Sequence, residues 1–125
     1  MDWGQFMNST WIDADNDGDL DLFLNNANGP NVLWKNLLVE VGVPRFMEAT
    51  REFSLPGEDL RFPRMSFASA VADFNNDGWQ DLMLFAVGQE PTYSPYGNGN
   101  GFFLNKQGQG FFNAASLAGI NMPDR

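Results

Sequence analysis

Apolar residues along this chain fall in bursts of three to six, separated by Gly, Pro, Asn and Asp, and no burst keeps a helical spacing for long. Asp19-Leu20-Asp21-Leu22 alternates polar and apolar, the period of a strand with one face buried. The spacing predicts strands over 7–12, 22–24, 31–36 and 45–50, then again over 67–72, 82–85, 100–105 and 110–115. The two sets correspond in order. Offsets between matching segments run 60, 69 and 65 residues, so connections change length while strands recur. Segments 53–55 and 118–120 trail each set. Four short strands, repeated, predict the blades of a propeller; two unrelated halves of a β-sandwich would not share one order of motifs.

The strongest part of the repeat lies between its first two strands. Asp13-Ala14-Asp15-Asn16-Asp17-Gly18-Asp19-Leu20-Asp21 returns as Asp73-Phe74-Asn75-Asn76-Asp77-Gly78-Trp79-Gln80-Asp81. Both read D-x-[DN]-x-D-G-x-x-D. A tight loop turns alternate side chains inward, so oxygens at positions 1, 3 and 5 converge. Position 6 is glycine because the chain turns sharply there at positive φ, where a Cβ is penalised. Position 7 offers its backbone carbonyl and position 9 a carboxylate. Such a set suits a hard cation taking about 6–8 oxygens, which points to Ca²⁺ over Mg²⁺. A pair of solvated acidic turns is the alternative, and two copies with the same spacing weigh against it. The loops are not EF-hands, because position 12 is Leu24 or Leu84 where a bidentate Glu belongs, and Asn25 to Pro30 cannot continue as a helix.

Composition sharpens this picture. The formal net charge is −9, yet eight of the sixteen acids sit in the two loops and the other eight face seven bases. The acidity belongs to the loops, and no basic patch invites nucleic acid. Without Cys or His the chain has no thiol nucleophile, no structural zinc site and no imidazole base. No apolar run approaches the ~20 residues of a membrane span, and no signal peptide is visible at the start.

The residues around the loops, 66–82 and 11–22, resemble FG-GAP/VCBS repeats. The later pattern of Asn, apolar strand, Asn, then Arg45-Phe46-Met47 or Gly110-Phe111-Phe112 is similar to blade endings of the cartilage-acidic-protein-like (ASPIC/UnbV-associated) branch. The resemblance implies an all-β fold of two four-stranded blades in an incomplete ring, similar to the head of integrin α subunits, with calcium-binding hairpin loops. Repeats at 1–60 and 61–125 would each form a blade. It also implies two Ca²⁺ sites. Asp13, Asp15, Asp17 and Asp21 with the carbonyl of Asp19 would hold one; Asp73, Asn75, Asp77 and Asp81 with the carbonyl of Trp79 would hold the other. Charge count ranks the first site tighter if both loops are equally rigid. Neither copy carries the Phe-Gly and Gly-Ala-Pro flanks of close integrin relatives.

Two blades cannot close a ring, so the expected partners are other blades of a parent chain or other subunits. An extracellular, cell-surface or periplasmic setting is expected, because resting cytosolic calcium would not fill sites of ~10⁻⁴–10⁻³ M affinity. The expected function is an extracellular interaction or adhesion scaffold without enzymatic activity. A carbohydrate-binding propeller is the alternative, and a polysaccharide-degrading one stands third. A candidate ligand face lies opposite the calcium loops, on two connections that carry Glu58, Asp59, Arg61 and Arg64, and Tyr93 and Tyr96. Tyr and Arg on rigidly held loops commonly anchor protein or sugar ligands, though these connections read more simply as plain surface loops.

Overall fold

The computed structural model describes residues 6–26, 30–55, 60, 66–86 and 101–114. It contains two antiparallel four-stranded sheets, each in simple up-and-down order. The first comprises β1 (Phe6–Ile12), β2 (Asp21–Asn26), β3 (Val32–Asn36) and β4 (Phe46–Glu48). The second comprises β5 (Ser66–Ala72), β6 (Asp81–Ala86), β7 (Gly101–Asn105) and β8 (Phe111–Asn113). All eight strands fall where the polar and apolar pattern predicts them. One element was not legible there: a single helical turn, α1 (Leu38–Val41), lies between β3 and β4 and ends at Gly42, whose φ of 83° needs a glycine.

The register repeats as well. Trp11 pairs with Leu22 and Leu22 with Trp34, while Val71 pairs with Leu82 and Leu82 with Phe103. Each first strand carries an irregularity near its start, between Phe6 and Asn8 and between Ser66 and Ala68.

The sheets bury opposite faces against one another. In β2, Phe23 lies in the core while Leu22 and Leu24 are only half-buried. In β6 the phase is reversed: Leu82 and Leu84 are buried, Met83 is half-buried and Phe85 is exposed. Phe23 and Met83 occupy equivalent positions, as do Leu22 and Leu82, so the first sheet offers one face and the second offers the other. This head-to-tail stacking is how successive blades pack. One core results, drawing Ile12, Phe23, Leu33 and Phe53 from the first repeat and Leu82, Leu84, Phe103 and Phe111 from the second. Leu60, from the connection, is also enclosed.

Polar bonds tie the sheets together beside this core. Ser69 Oγ meets Thr10 Oγ1 in a short hydrogen bond and donates to Asn25 Oδ1 at 2.8 Å. At the outer rim, residues 53–55 turn back along β8: the Phe111 N–H donates to the Phe53 carbonyl at 2.7 Å, and the Leu55 N–H to the Phe111 carbonyl at 3.2 Å. Gly110 leaves room for this crossing, since an added Cβ would come within 3.1 Å of Leu55 and of the Phe53 carbonyl.

Candidate metal centres

The two acidic loops connect β1 to β2 and β5 to β6, and they are built from the same hydrogen bonds. Asp13 accepts from the Asp17 N–H at 3.2 Å and the Gly18 N–H at 3.0 Å; Asp73 accepts from Asp77 at 3.0 Å and Gly78 at 2.7 Å. Asp17 Oδ1 accepts from the Asp19 N–H and Asp77 Oδ1 from the Trp79 N–H, at 3.1 and 3.0 Å. Asn16 and Asn76 sit at φ 57° and 60°, and Gly18 and Gly78 at 96° and 88°. Asn tolerates that left-handed region better than most side chains, and glycine enters it without penalty.

The position 9 carboxylates are the structural pins. Asp21 is fully buried and accepts from the Ala14 N–H at 2.9 Å and the Asn36 N–H at 2.8 Å. Asp81, equally buried, accepts from Phe74 at 2.9 Å and Asn105 at 2.9 Å. Each therefore joins its loop to the third strand of its blade. The repeated geometry extends to the amides, since Asn36 Nδ2 donates to the Leu20 carbonyl and Asn105 Nδ2 to the Gln80 carbonyl, both at 3.1 Å.

The predicted ligand residues lie in these loops, and their carboxylates gather into groups a cation could bridge. Asp13, Asp15 and Asp17 bring one oxygen each within 4.8 Å of one another, as do Asp15, Asp19 and Asp21, and Asp73, Asp77 and Asp81. Asn75 joins the second group: its terminal amide lies 2.9 Å from Asp77 Oδ1 and 3.1 Å from Asp73 Oδ1. With its NH₂ inward it donates to the carboxylates of Asp73 and Asp77; turned by half a rotation it presents a fourth oxygen to the group. In the first loop, two buried oxygens, Asp15 Oδ1 and Asp19 Oδ1, have no hydrogen-bond partner. Unpaired buried carboxylate oxygens are costly, and a bound divalent ion relieves that cost. The all-oxygen donor set fits a hard ion such as Ca²⁺.

Sequence reasoning missed three participants. Lys35, on β3, reaches the first loop and pairs with Asp15 Oδ2, with Asp17 Oδ2 at 3.3 Å and with Glu40 Oε2 at 3.0 Å. Glu40 comes from α1, and Val39 of the same turn donates its N–H to Asp19 Oδ2 at 3.1 Å. The Asp19 side chain is thus enclosed, where the sequence offered only its carbonyl. Nothing short of the fold places these residues, because the connection carrying α1 has no counterpart in the second repeat.

The two loops also touch each other. Asn16 Nδ2 donates to the Gly78 carbonyl at 3.1 Å, and the Asp13 N–H donates to Gln80 Oε1 at 2.7 Å. Asn105 Nδ2 donates to the Ala14 carbonyl at 2.8 Å. Trp79 packs over the β7–β8 turn, where Gly108 has φ 80° and an added Cβ would meet its ring at 2.9 Å.

Burial sets the titration of the loops. It pushes Asp21 up to about 6, against hydrogen bonds from Ala14 and Asn36 that pull the other way. Asp15, Asp19 and Asp81 are raised for the same reason. For Asp17, burial is outweighed by hydrogen bonds from Asp19 and Lys35, which hold it low. An acid whose folded pKa lies above its unfolded 3.8 binds its proton more tightly when folded, so stability falls as pH rises between the two values. Chelator-treated protein is therefore expected to resist urea better near pH 4.5 than near pH 7. Equilibrium unfolding at both pH values checks this, and greater resistance at pH 7 would contradict it.

The candidate ligand face cannot be placed in the same way. Glu58, Asp59, Arg61, Arg64, Tyr93 and Tyr96 all lie outside the described residues.

Paired four-stranded sheets, stacked head to tail and each carrying an acidic hairpin loop, define a β-propeller-like repeat protein whose ring these two blades leave open. The chain matches the FG-GAP-like repeat family over residues 13–84, more than half of its 125 residues, and belongs to that family. No curated protein and no solved structure matches it.

Proposed function

We propose that this chain is a calcium-stabilised propeller segment that serves as an extracellular interaction scaffold and carries no catalysis of its own. The observation that supports this reading most is the unpartnered pair, Asp15 Oδ1 and Asp19 Oδ1, buried within a loop whose hydrogen-bond pattern recurs in the second repeat. The ligands on offer would be Asp13, Asp15, Asp17, Asp21 and the Asp19 carbonyl in one loop. Asp73, Asn75, Asp77, Asp81 and the Trp79 carbonyl would serve in the other. Bound ions would lock the hairpins that join each blade's first two strands. That leaves the opposite end of the blades, with its longer connections, for a partner. Titration calorimetry tests the metal assignment: two calcium ions per chain are expected, one of them lost in Asp13→Ala and the other in Asp73→Ala. Binding of none would remove the reading.

The outer sheet faces bear on assembly. Trp11 and Phe85 are 53% and 41% exposed, on opposite ends of the stack, and each face is the repeat-equivalent of one already buried inside. Soluble monomers seldom leave such faces bare, so further blades or subunits should cover them. No helix among the described residues is long and apolar enough to cross a membrane. Light scattering coupled to size exclusion, in calcium buffer, is expected to show these 125 residues associating. A monodisperse 14.0 kDa species would contradict the assembly reading.

A further inference from the structure

The blades differ on the third strand, beside each loop, where a lysine stands in one and a leucine in the other. Asn36 and Asn105 are equivalent, since each donates its N–H to the position 9 aspartate of its own loop. The residues before them are Lys35 and Leu104. The Lys35 side chain is 12% exposed and its ammonium contacts three carboxylates, those of Asp15, Asp17 and Glu40. Leu104 brings no charge to the second loop.

We propose that Lys35 is a tethered cation of the first loop, one that holds its carboxylates together without metal and competes electrostatically with the divalent ion. The contacts divide the carboxylate oxygens in a telling way. The ammonium holds Oδ2 of Asp15, while Oδ1 of the same residue is buried and unpartnered. The fixed positive charge is therefore shared with a ligand whose other oxygen faces an incoming ion. At a few ångströms and with little water between them, two positive charges repel strongly.

Two consequences follow for the loops. Charge count no longer ranks the first loop tighter, because Lys35 cancels one of the four ligand carboxylates (Asp13, Asp15, Asp17, Asp21) and leaves three, as in Asp73, Asp77 and Asp81. The first loop also keeps its shape in chelator better than the second, whose acids have, among the described residues, backbone N–H groups and the Asn75 amide beside them and no cation. The blade with Lys35 is the one built to stay folded when calcium is scarce.

This inference rests on the calcium reading above, and the two fail differently. Calcium binding to the first loop is measured by calorimetry in an Asp73→Ala background, and to the second loop in an Asp13→Ala background. Lys35→Met is expected to tighten first-loop binding about ten-fold while lowering the melting temperature of the chelated protein. Lys35→Arg, which keeps the charge, should stay within about three-fold of the parent. The converse substitution, Leu104→Lys, is expected to weaken second-loop binding about ten-fold, and it stands as the test should Lys35→Met fail to fold. A residue that only positions Asp15 and Asp17 would do the opposite, weakening calcium binding when removed, and that result overturns the proposal. Unchanged first-loop affinity in Lys35→Met, with normal binding at the second loop, overturns it and leaves the calcium reading standing. Absence of binding at both loops overturns both.

Discussion

Removing calcium is expected to lower the melting temperature by roughly 10–20 °C, and restoring it to bring the value back. The size comes from mass action. An ion at 100 times its dissociation constant stabilises the folded state by about 2.7 kcal/mol per site, because an unfolded chain cannot hold the ligands together. Two sites give about 5 kcal/mol, a large share of the ~5–15 kcal/mol that separates most folded domains from their unfolded chains. The fold concentrates the effect. Asp21 and Asp81 each join a loop to a third strand, so loosening a loop loosens the sheet behind it. Magnesium at equal concentration should recover much less, since it keeps its waters and wants a stricter octahedron. Scanning calorimetry in chelator, calcium and magnesium makes the comparison. A melt unmoved by all three would remove calcium from the account of this protein.

A comparable loss is expected from one core substitution. Phe23 is fully buried where the first sheet meets the second, and Phe23→Ala should cost ~3–5 kcal/mol through lost burial and the cavity left behind. Phe85 provides the contrast. It is also a phenylalanine in the second strand of a blade, but it lies on the outer face and is 41% exposed. Phe85→Ala should cost under ~1 kcal/mol in dilute solution. Urea unfolding followed by tryptophan fluorescence reads both. Equal losses would mean that the two faces are not used differently, and the head-to-tail stacking would be wrong.

Much of this was legible in the chain. The eight strands were readable because turn residues bracket each burst, and the two loops because their spacing leaves little choice of conformation. The face each sheet buries was not. Leu22, Phe23 and Leu24 are all apolar, as are Leu82, Met83 and Leu84, so alternation carries no signal within either run. Only the neighbouring sheet decides that Phe23 goes in and Met83 stays near the surface. Polar fastenings were equally silent. Asn105 reads as a strand-end turn residue, yet it donates to carbonyls of both loops. Lys35 reads as a solvated strand position, and its ammonium is almost enclosed. Such roles depend on residues far away in sequence, which no local pattern encodes. The helical turn α1 was hidden for a related reason, being a single turn that no periodicity window can detect.

The bonds between the loops carry a consequence for the order in which the protein is made. Gln80 lies 67 residues beyond the Asp13 amide it caps, and Asn105 lies 91 beyond the Ala14 carbonyl. During synthesis the first blade emerges well before either partner exists, with Ile12 and Phe23 uncovered and two backbone groups of its loop waiting. Contacts so distant along the chain close late and slowly, and exposed apolar strands are open to wrong pairings meanwhile. A ribosome-bound chain stalled after residue 60 should therefore stay protease-sensitive, and resistance should rise sharply only once Asn105 has cleared the exit tunnel.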